Sequence, residues 1–123
     1  MQLSSSVPVL PATDLTRAKS FYSDKLKMKV EDGIAGLTVG EGRFRVFVYP
    51  APDPSPGTFT QTALQVSDVR ATVAELKERG IRFENYDVPG IKTVDGIAHM
   101  PDGDDAAWFK DSEGNLLVIV PDR

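Results

Sequence analysis

A segment of this chain occurs twice, and that repeat narrows the folds open to it more than any other feature. Val9-Leu10-Pro11-Ala12-Thr13-Asp14-Leu15 is echoed by Ala63-Leu64-Gln65-Val66-Ser67-Asp68-Val69, with Asp68 following Asp14 by 54 positions. Each copy runs from a short strand pattern through a hydroxyl residue and an Asp into a helical pattern. An Asp there suits the N-cap, where its carboxylate accepts orphan backbone N–H groups and faces the positive helix end. The first helix is expected over 15–25, with Leu15, Ala18, Phe21, Tyr22 and Leu26 forming one apolar stripe at spacings of three and four. The second is expected over 69–79, with Val69, Val73 and Leu76 on its stripe and Gly80 as the left-handed stop. Lys27 stands where the first helix should stop, and the same conformation would cost it ~1 kcal/mol.

Three strand patterns follow each helix. In the first unit they cover 29–32, 34–39 and 43–49, with turns at Asp32-Gly33 and Gly40-Glu41-Gly42. In the second they cover 81–84, 97–100 and a hairpin of 106–110 with 116–120. Pro8 and Pro11 cannot donate to a ladder, which places the first strand at an edge or a bulge. The stretch 50–57 holds four prolines and reads as a stiff linker. Residues 85–94, with Pro89-Gly90, read as an irregular loop. The fold class is therefore α+β, one domain over 1–123. A first module spans about 4–50, a linker 50–58 and a second module about 59–121.

Composition then excludes several kinds of function. There is no cysteine, which removes disulfides, thiolate nucleophiles and zinc–cysteine or iron–sulfur sites. A net charge of −4 disfavours nucleic acid and anionic membrane as partners, and favours or tolerates a cationic ligand. No basic region precedes an apolar run at the N-terminus, and no apolar stretch nears the ~20 residues of a bilayer span. A cytoplasmic location is expected. There is no phosphate-cradling glycine loop and no serine nucleophile elbow.

The pattern resembles the vicinal oxygen chelate superfamily of glyoxalases, bleomycin-resistance proteins and extradiol dioxygenases. The resemblance is carried by Thr13-Asp14-Leu15 with Arg17-Ala18 and Phe21-Tyr22, by Val66-Ser67-Asp68-Val69, and by Phe109-Lys110-Asp111-Ser112-Glu113-Gly114-Asn115-Leu116. It implies two tandem βαβββ modules curling into a half-open mixed sheet around a central pocket, and a homodimer. It also implies four metal-ligand positions, which fall here on Val7, about Val46, Gln61 and Val118. Three valines and one amide offer a divalent ion almost no donors. No metal and no cofactor is therefore expected.

The pocket candidates are Val7, Val46, Tyr49, Gln61, Trp108, Val118 and His99. The three valines would form an apolar pocket floor or fill the core. Gln61 would orient a ligand or bond neighbouring backbone. Trp108 and Phe109 are adjacent on a strand, so one should face the pocket and the other a helix. Tyr49 and Tyr86 would stack on a flat ligand at the rim or pack in the core. His99 reads as a general base or as a rim histidine. Asp102-Gly103-Asp104-Asp105 reads as a solvated acidic turn. The functions these residues suggest are metal-free sequestration of a small organic ligand, a metal-independent lyase or isomerase, or a non-catalytic regulatory protein.

Overall fold

Alternation along Leu37–Glu41 and Phe44–Pro50 leaves the first sheet one face to bury, whereas the continuous apolar runs within Asp105–Lys110 and Leu116–Pro121 bury both faces of the second. The computed structural model describes residues 1–122. The chain divides into two compact units, Met1–Pro56 with Ser112–Gly114, and Gly57–Asp111 with the segment from Asn115 onward. Each holds one open mixed sheet and one helix with its extensions, an α+β architecture.

The first unit contains β1 (Val9–Ala12), α1 (Leu15–Ser20) running into a π-helical turn (Phe21–Lys25), β2 (Val30–Asp32), β3 (Leu37–Glu41) and β4 (Phe44–Pro50). Its sheet order is β1-β4-β3-β2, with β1 parallel to β4 and the other pairs antiparallel. β1 lies at the edge, so Pro11 leaves no interior ladder bond unmade. Leu10, Val48 and Leu37 are register partners, as are Val39 and Val46, and all five are buried. Ala18 and Tyr22 are the buried side chains of the helical segment.

The second unit contains β5 (Thr60–Val66), α2 (Val69–Glu78), β6 (Asp87–Val88), β7 (Ile91–Val94), β8 (Ile97–His99), β9 (Asp105–Lys110) and β10 (Leu116–Pro121). The order is β5-β10-β9-β8-β7-β6, and β5 is parallel to β10. The first strand of each unit thus pairs in parallel with its last, as a repeated module requires. α2 packs on β9 and β10. Its buried Val69, Val73 and Leu76 join the fully buried Phe109, which meets Phe83 edge to face with ring centroids 5.5 Å apart.

Both helix caps form as the repeat predicts. Asp14 (φ −137°) accepts from the N–H of Arg17, and Asp68 (φ −140°) accepts from that of Ala71. The stops match as well, since Gly80 has φ 86° and Lys27 has φ 56°. Lys27 carries a Cβ into a region that penalises it. Lys27→Gly should therefore raise stability by ~0.5–1 kcal/mol, the relieved strain being partly offset by a freer unfolded chain. A urea midpoint that fell would contradict this.

Four expectations need correction. The first helix does not stay α-helical to residue 25; its last five residues widen to π geometry, with Leu26 N–H bonding Phe21 O. The strand expected from Ile34 starts at Leu37, because 33–36 form the hairpin loop, closed by Gly33 N–H to Gly36 O at 2.9 Å. The strand expected over 81–84 reduces to one bridge, Phe83 to Phe109. Residues 85–94 are no irregular loop, because β6 and β7 pair antiparallel around Pro89-Gly90. Gly90 has φ 87°, the value required after Pro in a type II turn.

Candidate functional site

The site is built on the β5–β10–β9 part of the second sheet, and a bulge fixes its first strand. Thr60 pairs with Leu116 while Thr62 pairs with Leu117, so Gln61 is the extra residue. Its side chain fills the gap in the ladder: Oε1 accepts from Leu116 N–H at 3.0 Å, and Nε2 donates to Asn115 Oδ1 at 2.9 Å. Asn115 in turn donates from Nδ2 to Asp111 Oδ2 (2.8 Å) and from its backbone N–H to Asp111 Oδ1 (2.9 Å). The Asp–x–x–Gly–Asn run is thus a buried polar lock on the β9–β10 turn. Gln61 bonds chain rather than projecting a free amide.

Beyond this lock, one face of β8, β9 and β10 presents Ala98, Ala106, Trp108, Leu116 and Val118 as an apolar cluster, flanked by Tyr86, Met100 and Val120. An open cleft of about 570 Å³ lies over it. Trp108 and Val118, directly opposed in register, form its floor with Met100 and Val120. Trp108 is held from two sides. Its indole N–H donates to Thr60 Oγ1 at 3.0 Å, and Tyr86 meets it edge to face at 5.5 Å. Burial and the nearby Glu84 push the Tyr86 hydroxyl upward, keeping it a neutral donor. Asp102 and Asp104, in the exposed β8–β9 turn, border the cleft. Phe109 faces away from it, as the alternation requires.

Of the seven candidates, the cleft brings together Trp108 and Val118. Gln61 belongs to the lock beside them. His99 lies on the opposite face of the sheet, its ring 70% exposed, with Nδ1 3.1 Å from Asp105 Oδ1. The same carboxylate takes Arg70 Nε at 2.9 Å, and these two partners hold Asp105 below the usual carboxylate range against the opposing effect of burial. Val7, Val46 and Tyr49 belong to the first unit. Val7 precedes β1 and is about half exposed; Val46 shares the buried face of β4 with Val48; Tyr49 points to the other face. A one-residue step decides the face on a strand, and that step makes Val46 a core side chain.

One buried charge has no counterpart among the sequence candidates. Glu113, its side chain fully enclosed, accepts from the backbone N–H groups of Thr13 (3.1 Å) and Asp14 (3.0 Å), from Arg17 Nε (2.8 Å) and Nη2 (3.0 Å), and from Ser112 Oγ (2.8 Å). Burial alone would push its carboxyl up. Arg17, Ser112 and the Asp14 N–H outweigh burial and hold it at about 2. No local pattern marks this role, because Thr13, Asp14 and Arg17 lie about a hundred residues away.

The four positions that the resemblance assigns to a metal offer a divalent ion almost no donors. Val7, Val46 and Val118 have no donor atoms, and both amide atoms of Gln61 are engaged. Among the described residues no group of three or more His, Asp or Glu side chains is placed to hold one. Nor is any helix among them long and apolar enough to cross a membrane.

Paired parallel closure of both repeats, twin Asp caps and a cleft on the sheet face away from the helix define a two-module α+β fold. The chain belongs to the Glyoxalase/Bleomycin resistance protein/Dioxygenase superfamily, whose model matches residues 6–119. A glyoxylase-like domain-containing protein of Didymella fabae is 27% identical over 121 residues, spanning 89% of this chain and 87% of that one. Among solved structures, a bleomycin-binding protein complexed with bleomycin superposes with a TM-score of 0.75 at 19% identity, over 98% of this chain and all of that one. Lactoylglutathione lyase from Agrobacterium tumefaciens gives 0.67 at 20% identity, over 98% and 96%.

Proposed function

We propose that this protein is a metal-free binder of small organic molecules, taking a flat, cationic ligand into the cleft over Trp108 and Val118. The cleft itself carries the reading. Its volume of about 570 Å³ lies within the range of small-molecule sites, its floor is an indole among aliphatic side chains, and its border carries Asp102 and Asp104. An aromatic face attracts a cation through its quadrupole, and the carboxylates add to that attraction. The bleomycin-binding relative in structure supports sequestration as the role. A thermal-shift panel of aromatic cations, neutral aromatics and aromatic anions tests it. Ligands at 100 times their Kd should stabilise the fold by about 2.7 kcal/mol, and only cations should do so strongly. A panel without cationic hits would count against the reading. The family also supports a homodimer, which would show as twice the 13.4 kDa chain mass in light scattering.

A second reading, a metal-independent lyase or isomerase, draws on the Asp105-oriented His99. It is the weaker one, because that imidazole faces away from the Trp108 cleft. An activity surviving His99→Ala would remove it.

A further inference from the structure

We propose that the groove between α2 and the β7–β8 hairpin is a second ligand site, one for a small organic anion with an apolar body. The groove, about 530 Å³, is separate from the Trp108 cleft and lies on the helix side of the same sheet. Arg70, Val73, Ala74 and Lys77 recur at spacings of three and four and share one flank of α2. Lys92, Val94, Ile97 and His99 alternate along β7 and β8 and share one strand face, with Val94 opposite Ile97 in register. α2 rests on β9 and β10, which leaves this outer hairpin face uncovered beside it. The result is an aliphatic floor of Val73, Ala74, Val94 and Ile97 between two walls that end in basic groups.

The charge of the groove runs against that of the chain. A protein of net −4 gathers Arg70, Lys77 and Lys92 here, with His99 beside them. Three carboxylates are close, among them Asp87, which stands opposite Lys92 in register without an ion pair to it. Asp105 is taken by Arg70 and His99, and Asp95 lines the far end, where its backbone carbonyl accepts from Lys77 Nζ at 2.7 Å. The Lys92 side chain makes no ion pair or hydrogen bond among the described residues, so its ammonium is available to a ligand. His99 Nδ1 faces Asp105, which leaves Nε2 as the ring atom free to meet one. A carboxylate or phosphate monoester would meet these cations, and an aryl or short alkyl body would cover the floor.

Amide NMR with phenyl phosphate as the probe tests the site, with phenol as the neutral control. Phenyl phosphate should shift the amides of 70–77 and 92–99 saturably and leave those of Trp108 and Val118 in place. Lys92→Glu, a change at an exposed side chain, should weaken that binding about tenfold. Unsaturated shifts up to about 20 mM, or an affinity indifferent to Lys92→Glu, would overturn the proposal. Saturation of the same amides by an acidic peptide at about a hundredfold lower concentration would overturn it too, in favour of a protein partner. Because the probe is anionic and the residues are distinct, failure here leaves the Trp108 cleft untouched.

Discussion

Glu113→Ala is expected to lower the stability of the fold by ~3 kcal/mol and its melting temperature by about 10 °C. The substitution strips two backbone N–H groups at the start of α1 of their acceptor and leaves Arg17 without its buried partner. The same contacts predict a pH dependence with a definite sign. A carboxyl that titrates at about 2 when folded, below its ordinary 4.5, contributes fully above pH 4.5. That contribution is lost as pH falls through about 2, and the gap amounts to ~3 kcal/mol. Glu113→Gln keeps the volume and removes the charge, so its urea midpoint should fall much less than the wild type's between pH 4.5 and 2. Parallel acid limbs for the two proteins would show that other carboxylates set the acid response.

Asn115→Ala should cost a similar ~3 kcal/mol, although it removes no charge. Asp111, a residue 6% exposed, would lose Asn115 Nδ2 as a donor, and Gln61 Nε2 would lose Asn115 Oδ1 as an acceptor. Gln61→Ala should cost less, ~1–2 kcal/mol, because it strips Leu116 N–H and Asn115 Oδ1 of a partner but leaves the Asn115–Asp111 bonds in place. The two substitutions act on one network, so the double variant should be less destabilised than the sum of the singles. Strict additivity in chemical denaturation would mean that Gln61 and Asn115 do not act together.

These residues also separate what a chain like this displays from what it conceals. The caps at Asp14 and Asp68 and the stops at Lys27 and Gly80 are legible because helix ends obey rules that span four or five neighbours. Trp108 and Phe109 are legible because strand alternation fixes opposite faces. Val46 and His99 are harder, since a register step of one residue moves a side chain across the sheet. The β6–β7 hairpin is too short for periodicity to announce, and two of its strand residues flank a Pro-Gly pair that reads equally as a loop. Gln61 is legible as a polar side chain at a ligand-type position, yet the bulge that turns it into a ladder filler depends on the partner strand. Glu113 is concealed altogether, because nothing near it in sequence predicts Thr13, Asp14 and Arg17 as its partners.

The cleft provides its own probe, since Trp108 is the sole tryptophan of the chain and lies on the cleft floor. Tryptophan fluorescence should therefore be titrated with an aromatic cation such as benzyltrimethylammonium, and with benzoate as the anionic control. A cationic aromatic site predicts a saturable change with the cation, weakened in an Asp102→Asn, Asp104→Asn double variant, and none with benzoate. A flat response to the cation, or equal responses to both compounds, would contradict the assignment of the Trp108 cleft as the binding site.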